Sequence, residues 1–378
     1  MSADLDVTAS EQLRLASRGY KILTKLGHGT YATVYLVEFK NPRTNKEMKL
    51  ACKSMDTSRM AKEFVTKFLP RELDILSRIN HPHIIQVQNI FQRRQKFYVF
   101  MRYAENGDLL DFVIKKGALS EPQARVWFRQ IALAVHYLHE MGVAHRDLKC
   151  ENIFITAHYN IRLADFGFAR YAIDDHGKTI TSDTFCGSIS YAAPEIIRGL
   201  TYYPKHADVW SLGVILYVIL NRAMPFDDAN VKVLYDQQMC RKWRFRPKVV
   251  NTLSKECKTL VGRLLEPNIS SRWDIVKVVN SDWIAMDERL RMLTPSEEAA
   301  LKQAKAERKK LTGSRESSKL SFTKAESGLV YPTIEVENVS SKIWHDKCDS
   351  VQEIKAYRDE SKAKGSIPGL ESNTLKDT

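Results

Sequence analysis

Apolar and polar positions alternate with period two through TVYLVEF (33–39) and KEMKLACKSM (46–55), and the turn-forming run NPRTN separates them. That pattern predicts an antiparallel hairpin. Its second strand carries Ala51 and Lys53 on one face and Leu50 and Cys52 on the other. Helical spacing takes over at Pro70, where Glu72, Leu76 and Ile79 share one stripe of a helix running through Arg78. NIFIT and IRLADF read as a second pair of strands joined by AHYN, and counting about the turn centre sets Asn152 opposite Asp165. SLGVILYVIL, Ser211–Leu220, is apolar on every side but far short of the roughly 20 residues a membrane span requires, so it predicts a buried helix.

This dense periodicity extends from about Tyr20 to Trp283 and predicts one folded domain, residues 20–283, behind a short N-terminal extension, residues 1–19. After Met286 the chain becomes charge-rich. In residues 284–378 the capping pattern Thr294 to Glu297 predicts one exposed helix, and disorder is expected beyond it. The basic stretch Lys302 to Lys310 lacks large apolar anchors, which makes it a solvated helix rather than a partner-binding one.

Charge narrows the function classes only a little. The 58 basic and 45 acidic residues give a formal charge of +13, but the basic residues are scattered and no zinc-finger or RNA-binding signature accompanies them. Anionic substrates and cofactors are therefore expected, with no nucleic-acid partner and no membrane partner. The polar N-terminus carries no secretory signal, and six cysteines without a CxxC pair read as free thiols of a reducing compartment, cytoplasmic with nuclear access.

The stretch GHGTYATV has Gly27 and Gly29 spaced for a phosphate loop but Ala32 where a third glycine is usual. A strand follows it, whereas a dinucleotide-binding fingerprint opens a helix. In a hairpin, such glycines let two strands fold over a nucleotide with backbone amides near its phosphates. Lys53 then lies on the covering face, and Glu72 can meet it from the helix. Further on, HRDLKCENIFITAHYNIRLADFG places the oxygen donors Asn152 and Asp165 together, a pair that suits Mg²⁺ carrying substrate phosphates. Asp147 is within reach as a general base, Lys149 can neutralise a transferring phosphoryl group, and His145 reads as a packing residue.

In this order, GHGTYATV, LACK, HRDLKCEN, DFG and AAPE resemble the signature set of the eukaryotic protein kinases. The strings FLPRELDIL, NGDLLDFVIKKGAL, TFCGSISYAAPE and YYPKHADVWSLGVILY are similar to the testis-specific serine kinase family of the calmodulin-dependent group. The resemblance implies an α+β, two-lobed fold: a small antiparallel-sheet lobe with one key helix, residues 20–104, and a larger, mostly helical lobe, residues 105–283. It implies a serine/threonine kinase using ATP and Mg²⁺, with Mn²⁺ as a substitute, and a role in developing male germ cells. Lys53 would hold the α and β phosphates and pair with Glu72, Asn152 and Asp165 would bind the metal, and Asp147 would be the base.

The implied nucleotide site comprises Leu26, Gly27, His28, Gly29, Thr30, Tyr31, Ala32, Thr33, Val34, Ala51, Lys53, Phe154 and Asp108, with Met101 as gatekeeper and Tyr103 and Ala104 in the hinge. By the same resemblance Ser188 contacts Asp147 and Lys149, and Asp208 anchors the catalytic loop. Glu195 pairs with Arg272 structurally. Thr184 matches the activation-loop phosphoacceptor, modified by an upstream kinase or by the chain itself, and Arg146 and Arg170 match the residues that gather that phosphate. Asp108 and Glu151 match positions that meet ribose or basic side chains upstream of the acceptor in Ser/Thr protein substrates. Ile189 stands where a proline is usual. The alternative, a pseudokinase scaffold, predicts loss of Lys53, Asp147, Asn152 or Asp165, and all four are present.

Overall fold

The computed structural model describes residues 7–29, 32–62, 64–313, 334–337 and 371–372. These fall into two compact units: one takes the chain up to Ile79 together with Ile85–Ala104, the other takes Asn80–Ile84 and most of the chain from Glu105.

The first unit is built on a sheet. After α1 (Ala9–Ser17) come β1 (Tyr20–His28), β2 (Ala32–Lys40) and β3 (Glu47–Asp56), then α2 (Leu69–Arg78), β4 (Val87–Arg93) and β5 (Lys96–Arg102). The strands lie antiparallel in the order β1-β2-β3-β5-β4, and Ile334–Glu337 adds in parallel to β4. The hairpin expected from the alternation is β2–β3, with Val34 opposite Lys53 and Leu36 opposite Ala51. Tyr35, Val37, Leu50, Cys52, Tyr98 and Phe100 bury one face of the sheet in a cluster that includes Val7 and Leu15.

The N-terminal extension is therefore part of this unit's core. Thr8 caps α1 in a reciprocal box with Glu11, a T-x-x-E pattern of the same kind as the one read near residue 294. Glu11 reaches Lys96 Nζ at 3.0 Å and accepts from the Tyr98 hydroxyl at 3.0 Å. Although burial opposes its charge, hydrogen bonds from Thr8, Lys96 and Tyr98 outweigh that and hold its carboxyl down at about 2. Pro70 sits in the first turn of α2 as expected, while Ile79 lies just past the helix end in extended conformation.

The second unit is mostly helical. It contains α3 (Leu109–Lys116), α4 (Glu121–Glu140), α5 (Pro194–Ile197) and α6 (Pro204–Asn221), with the short strands β6 (Val143–Ala144), β7 (Ile153–Ile155), β8 (Ile161–Leu163) and β9 (Arg170–Tyr171). Apolar on all sides, α6 is buried from Leu212 through Asn221, which accounts for the run SLGVILYVIL.

The β7–β8 register corrects the sequence reading by one residue: Ile153 faces Leu163 and Ile155 faces Ile161, so Asn152 lies level with Ala164, whose N–H it accepts at 2.9 Å. The turn takes one residue fewer than AHYN, because Asn160 joins the ladder. Thr156 N–H donates to Asn160 O at 2.9 Å, and Tyr159 adopts a left-handed φ of 57° to close the loop.

The helix Pro295–Gly313 lies where the capping pattern put it, but it is not solvated on all sides. Glu297, Ala300, Ala304 and Glu307 are buried along one face. Glu297 accepts from Arg129 Nη1 at 2.9 Å and Nη2 at 3.1 Å, meets His83 Nε2 at 2.8 Å, and accepts from Thr294 N–H at 2.8 Å. This corrects the reading of an exposed helix. Expected disorder past it falls on residues outside the described ones, apart from Ile334–Glu337 and Glu371–Ser372.

Candidate functional site

In the first unit, the sheet face opposite the buried cluster carries Val34, Ala51, Lys53 and Met101, each only half-buried, with Ala51 directly opposite Met101 across β3 and β5. Lys53 Nζ donates to Glu72 Oε1 at 2.8 Å, and Glu72 is 1% exposed. A buried carboxylate oriented by α2 thus fixes an ammonium beside the apolar side chains of Val34, Ala51 and Met101.

The glycine loop closes through Gly29 N–H donating to Ala32 O at 2.8 Å, and the His28 ring meets the Thr33 hydroxyl at 3.0 Å. Among the described residues a Cβ on Gly27 would meet nothing within 4 Å, and one on Gly29 only Ala32 O at 3.7 Å. Packing against the described residues requires neither glycine, and their smallness leaves room for a closely approaching ligand. Leu26 is exposed, Tyr103 half-buried and Ala104 buried, while Thr30 and Tyr31 lie outside the described residues. Ala32 pairs with Met55 within β2–β3, where a small side chain is accommodated as an ordinary strand residue.

In the second unit the catalytic candidates converge. Asp147 is 5% exposed, and its carboxylate is held from several directions. Lys149 Nζ lies 2.9 Å from Oδ2, Asn152 Nδ2 donates to Oδ2 at 3.1 Å, and Ser188 donates to Oδ1 from both N–H at 3.0 Å and Oγ at 3.1 Å. Lys149 also donates to Ser188 Oγ at 2.9 Å. Burial works against the Lys149 charge, but Asp147, Glu151 and Asp165 together outweigh it and raise its pKa above the ordinary lysine value.

The loop beneath is rigid. Asp208 accepts from the N–H of His145 at 2.9 Å and of Arg146 at 2.8 Å, and meets His139 Nε2 at 2.9 Å. His145 is fully buried, its Nε2 on Ala164 O at 3.1 Å and its ring edge-on to Phe166, in keeping with a packing role.

Backbone strain concentrates here. Arg146 and Asp165 both occupy the left-handed region, at φ 65° and 60°. Gly187, at φ 88°, passes so close to the catalytic loop that a Cβ would lie 2.5 Å from Arg146 O. Only glycine lets the activation segment dock there, a requirement the sequence reading missed.

The donor set fits Mg²⁺. Among the described residues no group of three or more His, Cys, Asp or Glu side chains forms an all-protein metal cage. Asn152 commits its amide nitrogen to Asp147, through both the main-chain oxygen at 2.8 Å and the carboxylate, which leaves its carbonyl oxygen as the ligand it can offer, and Asp165 lies near enough to help raise the Lys149 pKa. Two protein oxygens completed by phosphates and water match the habit of this cation.

The remaining predicted residues divide. Asp108 caps α3 by accepting from Asp111 N–H at 2.9 Å, and Phe154 is half-buried on β7, bridged to Asp108. Burial raises the carboxyl groups of both Asp108 and Glu151, and Glu151 accepts from the Tyr191 hydroxyl at 3.2 Å. Arg272 holds Glu195 through two bonds of 2.7 and 2.9 Å, bracing α5. Arg146 and Arg170 come together, but on Ser182 rather than on Thr184. The Thr184 hydroxyl points to Asp183 at 3.4 Å. Cys150 is buried and burial pushes its thiol up, leaving it unreactive.

The family model described as "Protein kinase domain" matches residues 20–284. The chain is 41% identical over 272 residues to testis-specific serine/threonine-protein kinase 1 of Mus musculus, covering 71% of this chain and 73% of that one. It is 41% identical over 274 residues to testis-specific serine/threonine-protein kinase 3 of Homo sapiens, covering 72% and 98%. Similarity to serine/threonine-protein kinase SIK2 of Gallus gallus is 36% over 295 residues, 77% of this chain and 35% of that one. Among the described residues no helix is long and apolar enough to cross a membrane.

Proposed function

The chain belongs to the protein kinase family, and we propose that it is a catalytically competent serine/threonine kinase that transfers the γ-phosphoryl group of ATP to Ser or Thr hydroxyls of protein substrates. The observation that carries this reading is the Asp147 carboxylate, buried and oriented by Lys149, Asn152 and Ser188. A base positioned in this way contributes roughly 10²- to 10⁴-fold.

Asn152 and Asp165 would hold Mg²⁺, which would supply neutralisation of the phosphate charge. Asp147 accepts the proton of the acceptor hydroxyl as that oxygen attacks. Lys149, anchored between Asp147 and Ser188, offsets negative charge developing on the transferred group. Lys53, fixed by Glu72, holds the α and β phosphates, and the face formed by Val34, Ala51 and Met101 receives the base.

Phosphorylation of Thr184, by another kinase or by the chain itself, raises activity by bringing charge of about −1.5 to −2 to Arg146 and Arg170. Substrates with a basic side chain upstream of the acceptor suit the half-buried carboxyl of Glu151. A role in spermatid development follows from the similarity to testis-specific kinases. The pseudokinase reading has no missing catalytic group to support it.

A peptide-array phosphorylation assay with Mg-ATP, run beside Asp147→Asn and Lys53→Met, tests the mechanism. Turnover is expected to vanish in both, and activity surviving both substitutions rejects it. A Thr184→Ala chain with unchanged turnover would sink the activation step alone.

A further inference from the structure

Two guanidinium groups converge on one neutral oxygen in the second unit. Ser182 Oγ accepts from Arg146 Nη1 at 3.2 Å and from Arg170 Nη1 at 3.0 Å, and Ser182 is 2% exposed. Among the described residues neither arginine has a carboxylate oxygen within 4.0 Å. The two like charges repel, and Arg170 shows it: burial and the neighbouring Arg146 both lower its pKa. Something must hold them together, and the group in that position is the Ser182 hydroxyl.

Ser182 is itself firmly placed. Its N–H and C=O exchange bonds of 2.8 Å each with Tyr202, and the Tyr202 hydroxyl donates to Thr184 O at 3.0 Å. On the other side, Arg146 Nε donates to Phe168 O at 2.8 Å, and Arg146 immediately precedes Asp147 in the strained catalytic loop. A continuous set of hydrogen bonds thus runs from the segment after β9, through Ser182 and the arginine pair, to the residue beside the catalytic carboxylate. The Thr184 N–H approaches Ser182 Oγ at 3.4 Å, so the expected phosphoacceptor lies next to this contact without occupying it.

We infer that Ser182 is a positioning residue whose hydroxyl stands in for phosphate between Arg146 and Arg170, keeping the unmodified activation segment docked on the catalytic loop. The chain then has basal turnover before Thr184 is modified, and a phosphate on Thr184 takes over the arginines and makes Ser182 dispensable. This rests on the kinase reading proposed above and specifies how its regulation begins.

The test compares full-length wild type with Ser182→Ala, each prepared dephosphorylated and each phosphorylated on Thr184, with intact mass confirming the state. In the dephosphorylated pair, kcat is expected to fall about tenfold in the variant, the factor one charge-assisted hydrogen bond carries. In the phosphorylated pair the two should agree within about twofold. A purely structural role predicts the same loss in both states, and that result overturns the inference, as does an unchanged kcat in the dephosphorylated pair.

Amide hydrogen exchange on the dephosphorylated proteins gives a readout independent of turnover. Exchange across residues 178–187 should speed up in Ser182→Ala while α6 stays protected as a control for folding. Unchanged exchange across 178–187 overturns the inference even if the wild type proves inactive. Failure of the kinase reading would be seen separately, as absence of turnover in wild type in either state.

Discussion

Replacing Glu297 by alanine removes the partner of a buried cation in a helix that lies beyond the matched kinase domain. Glu297 and Arg129 have side chains only 3% and 8% exposed, and two guanidinium bonds of 2.9 and 3.1 Å join them. Stripping one partner from a buried pair costs about 3–5 kcal/mol because the other charge is left uncompensated. Here Arg129 keeps Leu290 O and Met292 O, both at 2.8 Å, which argues for the lower end, about 3 kcal/mol. Alanine also removes the Glu297 half of the capping box with Thr294, about 1 kcal/mol more. For a unit of this size 1 kcal/mol moves Tm by roughly 2–4 °C, so a fall of roughly 10 °C is expected.

Differential scanning calorimetry on full-length wild type, Glu297→Ala and a chain truncated before Pro295 measures it. The truncated form should lose at least as much as Glu297→Ala, since it also uncovers the sites of Ala300 and Ala304. Glu297→Gln, which retains one acceptor, should fall between. Were truncation to leave Tm within about 2 °C of wild type, the helix would be an appendage and the reasoning from burial would be refuted.

Three other perturbations test different parts of the molecule. Gly187→Ala places a Cβ 2.5 Å from Arg146 O at a φ of 88°, where a left-handed L-residue alone costs about 1–2 kcal/mol; kcat should fall by tenfold or more with the ATP KM little changed, and intact kcat would contradict the docking argument. Glu11→Ala should destabilise the first unit by about 1 kcal/mol, a figure discounted for solvent screening; because folding depresses this carboxyl to about 2, its contribution is complete above its ordinary range near 4.5 and is lost as pH falls, so thermal melts of variant and wild type should converge toward pH 2. Burial depresses His81, His83 and His139 as well, so on acidification the unfolded chain takes up protons before the folded one does: stability should already decline as pH drops below about 6.5, and a Tm flat from pH 7 to 5 would count against it.

Most of the fold was legible because its signals are local. Strand alternation gave β2 and β3 and the faces of Lys53 and Cys52, and Pro70 with the Glu72 stripe gave α2. Where the reading slipped, a backbone detail decided. Asn152 was set opposite Asp165 by symmetric counting. The loop instead closes Thr156 on Asn160, and that one residue shifts the whole ladder. Asp165 itself lies past the strand in a left-handed conformation that no periodicity announces.

The helix from Pro295 shows a different limit. By composition, the segment from Pro295 is a solvated helix, rich in Glu, Lys and Arg, and its seat on the second unit depends on small residues and carboxylates spaced along one face at 297, 300, 304 and 307. Pattern methods that search for large apolar residues pass over a face of Glu, Ala, Ala and Glu, because its stability comes from what the opposing surface offers: Arg129 and His83, more than 160 residues earlier. Ser182 is hidden for the same reason. Nothing in the type or spacing of a serine two residues before the expected phosphoacceptor marks it as the occupant of an arginine pocket, since that role is created by the approach of Arg146 and Arg170 from distant parts of the chain. Buried charge is therefore where the sequence is least informative: whether it is solvated, paired or held by a hydroxyl depends on partners that only the folded chain brings together.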